Sequence, residues 1–336
     1  MDAAHSRTVK AVVCRALTGI EALRCERITP PQLHAGEVRI DVHAAGVNFP
    51  DILKARGLYQ VTPALPWVPG AEVAGVVSEI GEGVCNVIPG ERIMGVASAK
   101  GGGFAEQIVL SADRVFPIRQ DMSFAQAAAI PVAYGTALYA LKQRGELKPA
   151  EQLLVLGAAG GVGLAAVQLG KAIGARVIAA ASTEEKRQMA LAHGADDVVD
   201  YTLPGWRNSV LELTGSLGVD VIYDPVGGDV FDEAIRCTAW MGRYLVVGFS
   251  SGRIPSLSVN HPLVKGYDLR GVRYDVWRDR CWRQAQSNLR QVLDWCGEGR
   301  IRPHVDATYP LEQAVTALRS LMTRQAKGKI VLLPGE

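Results

Sequence analysis

The run Leu153-Leu154-Val155-Leu156-Gly157-Ala158-Ala159-Gly160-Gly161-Val162-Gly163-Leu164 constrains this chain more than any other stretch. Four apolar residues pass into a cluster of glycines, and the cluster passes into Gly161 to Ile173, whose apolar residues recur at helical spacing. A strand therefore enters a tight turn and leaves as a helix. Glycine supplies backbone conformations closed to other residues, small side chains let the main chain approach a ligand, and a helix N-terminus offers unpaired N–H groups with a partial positive charge. Such a turn can cradle the pyrophosphate of a dinucleotide. The glycines at 157, 160 and 163 form G-x-x-G-x-x-G, so Ala158 and Ala159 depart from the commoner G-x-G-x-x-G. The alternative is a turn that only packs a helix against a sheet. The context favours the cofactor, because the next strand begins about 20 residues later, as a dinucleotide-binding unit requires.

The same rhythm of apolar strand and helix runs on through this half of the chain. After Gln152–Leu156 come a strand at Ala175–Ala179, a helix over Glu184–Ala192, a strand at Asp197–Val199 and a helix near Trp206–Thr214. A strand at Val219–Tyr223, a helix near Val230–Cys237 and a strand at Tyr244–Val247 follow. This alternation predicts a doubly wound parallel sheet, a Rossmann domain, covered on both faces. From Val9 to about Pro117 the pattern differs, with short β-rich runs at Ala11–Val13, Glu37–Val42, Val73–Val77 and Arg92–Val96 between Gly and Pro punctuation, which predicts a compact β-rich domain. Apolar residues at helical spacing over Asp121–Leu141, broken by Pro131 and Gly135, mark the passage between the two. From Lys265 the pattern shifts again, to a charged helix over Asp279–Gly297, a helix over Leu311–Met322 and a strand at Lys329–Leu333 that is expected to rejoin the first domain.

The end of the second strand bears on which dinucleotide is bound. An NAD site places Asp or Glu there, on the adenosine ribose. Here Ala181-Ser182-Thr183 follows the strand, with Lys186 and Arg187 shortly after, so a hydroxyl and an ammonium are at hand for a 2′-phosphate. Glu184 and Glu185 are the counterargument unless they point to solvent from the first turn of the next helix. NADPH is the expected cofactor.

Composition narrows the remaining classes. Thirty-six Lys and Arg balance 34 Asp and Glu with no block of either sign, which argues against nucleic acid or an anionic membrane as partner. Met1–Lys10 shows no apolar signal core, and no run approaches the roughly 18 apolar residues a membrane span needs, so a cytoplasmic location is expected. The six cysteines lie apart, with no C-x-x-C pair to suggest a disulfide framework or a zinc lobe.

Several further runs resemble the zinc-independent NADPH:quinone oxidoreductases of the medium-chain dehydrogenase/reductase superfamily. They are Gly46-Val47-Asn48-Phe49-Pro50-Asp51 with Gly57-Leu58-Tyr59, Pro69-Gly70-Ala71-Glu72, Ile130 to Ala137, Asp224-Pro225-Val226-Gly227-Gly228, and Gly242 to Gly248. The resemblance covers essentially the whole chain. It implies a GroES-like catalytic domain, 1–127 with 267–336, and a Rossmann NADPH-binding domain, 128–266. Zinc-dependent relatives place a Cys near Asn48 and a His in a Gly-His-Glu run, where this chain has Gly70-Ala71-Glu72, and Met94–Val109 lacks the cysteines of a structural zinc lobe. No metal is expected.

The resemblance further implies a nicotinamide in the cleft between the domains, with Asn48 and Asp51 on the catalytic side and Phe49 against the cofactor. Thr136, the turn residues Gly157, Ala159, Gly160, Gly161 and Val162, then Val226, Gly248, Phe249 and Ser250 would hold ribose and carboxamide. Ser182, Lys186 and Tyr201 would surround the adenosine phosphate, and Arg324 would contact the cofactor. Asn48 as a turn cap, Tyr59 as a half-buried loop aromatic and Arg324 as a solvated helix end are the structural alternatives. Without a metal to polarise a carbonyl, the acceptor must itself be electron-poor, as a quinone or an activated alkene is. Hydride transfer leaves an oxyanion for Asn48 or Tyr59 to stabilise, with Tyr59 or water returning the proton. An alkenal, enone or enoyl-thioester reductase, and an NADPH-binding sensor with little catalysis, remain open. A homodimer through the cofactor-domain sheets is also implied.

Overall fold

The computed structural model describes residues 8–97 and 101–335. Residues 1–7, most of the segment read as lacking a signal core, lie outside it, as do 98–100 of the cysteine-free stretch. The chain divides into two units, residues 1–132 with 303–336, and 133–302.

In chain order the first unit begins with β1 (Val9–Cys14) and β2 (Leu23–Ile28), an antiparallel pair. Its main sheet is built around β3 (Glu37–Val47), which leads into the short helix α1 (Phe49–Ala55). Along β3, Val38, Ile40 and Val42 alternate inward, and Ala44–Val47 are buried throughout. Then come β4 (Glu72–Ile80), β5 (Arg92–Val96), β6 (Gln107–Ser111), β7 (Val115–Pro117) and α2 (Phe124–Ala128).

The second unit opens with α3 (Ala133–Leu138), which runs on as a π-helical turn to Arg144. β8 (Gln152–Leu156), α4 (Gly161–Ile173), β9 (Arg176–Ala181), α5 (Glu184–Ala192), β10 (Asp197–Asp200) and α6 (Trp206–Leu213) form its first half. β11 (Val219–Asp224), α7 (Gly228–Ala234), β12 (Thr238–Val246), α8 (Asn260–Lys265), β13 (Asp268–Gly271), α9 (Tyr274–Arg280) and α10 (Trp282–Gly297) form the second. All six strands are parallel, in the order β10-β9-β8-β11-β12-β13, so the order reverses between β8 and β11. This is the doubly wound sheet expected, and its ligand crevice belongs at the strand ends flanking that reversal.

The chain then returns to the first unit through β14 (Val305–Pro310), α11 (Ala314–Met322) and β15 (Lys329–Leu333). β15 lies parallel to β14 and antiparallel to β3, closing the order β14-β15-β3-β4-β5-β7, with β6 also on β3.

The resemblance sets the second stretch of the first domain at 267–336, whereas the two compact units divide at 303. The intervening segment belongs to the second unit for identifiable reasons. β13 extends the parallel sheet beside β12, Tyr139 stacks on Trp277 at 4.2 Å between centroids, and the amides of Gln143 and Asn288 pair reciprocally at 3.2 and 3.1 Å. The charged helix expected from Asp279 is two helices, broken at Cys281, where ψ is 44°.

Candidate active site

In the first unit, β3 ends by turning into α1, and the turn is organised by Asn48 and Asp51. Asp51 Oδ2 accepts the Asn48 N–H at 2.9 Å, Asn48 O accepts the Asp51 N–H at 3.0 Å, and Asp51 Oδ1 accepts the Gly70 N–H at 3.3 Å. A carboxylate in the first turn also suits the helix dipole. Burial nevertheless lifts Asp51 to about 6, against the opposing pull of the Asn48 N–H, Lys54, the Gly70 N–H and Lys329. Both its oxygens serve backbone groups, so Asp51 shapes the turn.

The Asn48 amide, 7% exposed, meets two charged side chains that burial would ordinarily exclude. Its Nδ2 donates to Glu72 Oε1 at 2.8 Å and to Gly46 O at 3.3 Å, and its Oδ1 accepts from Lys329 Nζ at 2.8 Å. Lys329 Nζ donates as well to Glu72 Oε1 at 2.6 Å and to Val47 O at 3.0 Å, while Glu72 Oε2 accepts the Val132 N–H at 2.7 Å. Gly46 makes room for this cluster, since a Cβ there would lie 2.2 Å from Glu72 Oε1. Phe49 packs half-buried against the core, and Tyr59 is half-buried with Lys54 Nζ 5.4 Å from its ring centroid. Lys54 also lies 5.7 Å from the Trp67 ring.

In the second unit, the glycine turn has the geometry its sequence implies. Gly157 takes φ +59°, and a Cβ on Gly163 would lie 2.2 Å from Gly157 O, so α4 starts directly against the turn. Gly160 is the N-cap, and no side chain caps α4. Its first-turn N–H groups, Gly161 and Val162 among them, therefore lack the cap that Thr183 gives α5. A phosphate can take that place, so the turn fits a dinucleotide. Ala159 is buried beneath the turn, and Thr136 is buried on α3.

Beyond β9, Ser182 and Lys186 are half-buried, and Tyr201 follows β10. The carboxylates that would oppose a 2′-phosphate are held by Arg187, at 2.8 Å from Glu184 and 2.6 Å from Asp200. Burial raises Asp200, but hydrogen bonds from Thr202 and the Arg187 charge outweigh it and keep the carboxyl below its ordinary range. At the end of β11, buried Asp224 takes the N–H groups of Val226 and Gly227 at 2.7 and 2.9 Å and the Tyr244 hydroxyl at 2.8 Å. The Gly248–Phe249–Ser250 loop folds over this turn, with the N–H groups of Gly248 and Ser250 donating to Asp224 O and Pro225 O. Arg324, at the end of α11, is exposed with φ +59°.

Residues 34–120 match the family model of an alcohol dehydrogenase GroES-like domain, and 161–295 that of a zinc-binding dehydrogenase. Quinone oxidoreductase-like protein 2 of Bos taurus is 38% identical over 97% of this chain and 93% of that protein. The chain belongs to the quinone oxidoreductase-like family of the medium-chain dehydrogenases/reductases. Quinone oxidoreductase of Sus scrofa is 33% identical over 88% of the chain and 89% of that protein. Among solved structures, the Escherichia coli quinone oxidoreductase complexed with NADPH has a TM-score of 0.87 at 31% identity, with 98% of this chain and all of that one covered. A mycobacterial protein complexed with NADPH has a TM-score of 0.88 at 31% identity over 97% of this chain and all of that one.

One of the matching family models is named for zinc, and the residues here do not fit that ion. Of the places where zinc-dependent relatives carry Cys and His, one is Asn48, whose amide is engaged, and the other is Ala71. The adjacent Glu72 already holds an ammonium. Among the described residues no three His, Cys, Asp or Glu side chains converge elsewhere as ligands would.

Sequence reasoning missed Glu72 and Lys329 as site residues, though both were legible. Lys329 opens an otherwise apolar strand, and a charge there asks for a buried partner. Arg187 was passed over in favour of Lys186, because only the fold brings Asp200 beside it.

Proposed function

We propose that this protein is an NADPH-dependent, zinc-independent oxidoreductase that reduces a small electron-poor acceptor, a quinone first among them, as a homodimer in the cytoplasm. The observation that carries the cofactor reading is the uncapped N-terminus of α4, held directly against the turn because Gly163 leaves room for the Gly157 carbonyl. The corner at Ser182, Lys186 and Tyr201, where Arg187 pairs with Glu184 and Asp200, supports NADPH over NADH. The two solved relatives complexed with NADPH agree with it.

In this reading Gly157, Ala159, Gly160, Gly161 and Val162 hold the pyrophosphate, Ser182, Lys186 and Tyr201 the 2′-phosphate, and Phe49, Thr136, Val226, Gly248, Phe249, Ser250 and Arg324 the remainder. Bound NADPH supplies a hydride. Asn48 holds the turn at the acceptor side, with its amide oriented by Lys329 and Glu72. Tyr59 is the proton donor, and the Lys54 ammonium beside its ring favours any negative charge that develops on the phenol oxygen. Since fold and cofactor leave the acceptor open, the quinone preference rests on the relatives' names alone.

The test is initial rates of NADPH and NADH oxidation against a benzoquinone, an alkenal and an enoyl thioester. Quinone-led turnover with NADPH preferred is expected. An alkene-led profile would reassign the acceptor, and tight NADPH binding with no turnover would make the protein a sensor. Tyr59→Phe is expected to cut turnover about a hundredfold or more, the usual range for a lost general acid.

A further inference from the structure

The cluster of Lys329, Glu72 and Asn48 is costly to build. Glu72 is fully buried and the Lys329 side chain is 5% exposed, so both charges have left water. Replacing such a pair by apolar residues of similar size is often neutral or stabilising. The rest of β15, Ile330–Leu333, shows that this strand accepts apolar side chains. Stability alone therefore does not account for a lysine at its first position.

The geometry shows what the charge does. All three ammonium protons find oxygen, on Val47, Asn48 and Glu72, at 3.0, 2.8 and 2.6 Å. An amide can turn over and exchange its oxygen and nitrogen, but here the ammonium demands Oδ1 on one side and Glu72 demands Nδ2 on the other. Only one orientation satisfies both. The cation also ties β15, from the end of the chain, to the β3–α1 turn, 281 residues away in sequence.

We propose that Lys329 is a positioning residue of the active site. Its ammonium is an internal cation that neutralises Glu72 and locks the Asn48 amide and the β3–α1 turn in one orientation. This rests on the proposed reading that places Asn48 at the acceptor side. It assigns the positive charge at this point of the fold to the chain itself.

The test is the double variant Lys329→Met with Glu72→Met, which removes both charges and leaves no unpaired ion. It is expected to melt within a few degrees of the wild type, keep its KM for NADPH within about twofold, and lose at least tenfold in kcat. A purely structural pair would move the melting temperature and leave kcat alone. A double variant with wild-type melting temperature and wild-type kcat overturns the proposal. Lys329→Ala supplies a second arm, in which ethylammonium is expected to raise the melting temperature saturably in the variant and not in the wild type. No such response would also overturn it.

A crystal structure of the double variant is read independently of turnover. A rotated or disordered Asn48 amide is expected, and an unchanged one refutes the proposal. If the wild type reduces none of the three acceptors, the functional reading fails while this structural arm still decides the role of Lys329.

Discussion

Asp51 shows how one buried carboxyl turns a local cap into a pH-dependent property of the molecule. Its value rises from 3.8 to about 6, chiefly through burial. Between those values the folded chain holds a proton that the unfolded chain has released, so stability falls as pH rises through the window and levels off above it. The shift is equivalent to roughly 3 kcal/mol. Unfolding free energies of the wild type and Asp51→Asn, measured from pH 4 to pH 7, are expected to diverge by that order, with the wild type losing ground as pH rises. A constant difference would refute this. Arg187 is the second case at this scale. Arg187→Met leaves Glu184 and Asp200 unneutralised beside the corner proposed for the 2′-phosphate, where their charge would repel that group. NADPH is expected to bind about five- to tenfold more weakly in a fluorescence titration, with NADH little changed.

At the scale of elements, the junction of β8, turn and α4 carries most of the reading. The boundaries expected for strand and helix, Gln152–Leu156 and Gly161–Ile173, are those observed, because glycine chemistry and helical periodicity are both local. Gly163→Ala would drive a methyl group into Gly157 O at 2.2 Å. It is expected to cost about 1–3 kcal/mol in stability and to weaken NADPH binding as α4 is pushed off the turn. Gly160→Ala, whose Cβ would lie 3.4 Å from the same oxygen, is the control for stability alone and should melt like the wild type. Calorimetry and a binding titration of both variants check this. β13 illustrates the opposite outcome. Three of its four residues, Asp268–Gly271, are charged or glycine, they show no apolar alternation, and they are a strand only because β12 offers a parallel partner.

At the scale of the whole molecule, β13 is the edge of the six-stranded sheet, and an edge presents unpaired backbone groups to any matching strand. Trp240, Met241, Ile254, Val259, Leu263, Val264 and Leu269 are all exposed around this part of the second unit. In the proposed homodimer this edge and its exposed apolar side chains would form the twofold interface. Analytical ultracentrifugation is expected to find a dimer that Leu269→Lys weakens. A monomeric wild type at micromolar concentration would refute it.

What the sequence by itself determined is the set of features whose causes lie within a few residues. These are the β-rich first part, the alternating second part and the glycine turn, together with the family that those runs identify. Tertiary structure decided whatever depends on residues far apart. It placed 267–302 in the second unit, broke the charged helix at Cys281, set Arg187 against Asp200, and brought Lys329 onto Glu72 and Asn48. The physical reason is the same each time. A buried charge or an edge strand has no local signature of its own, and its meaning comes from the partner that folding delivers.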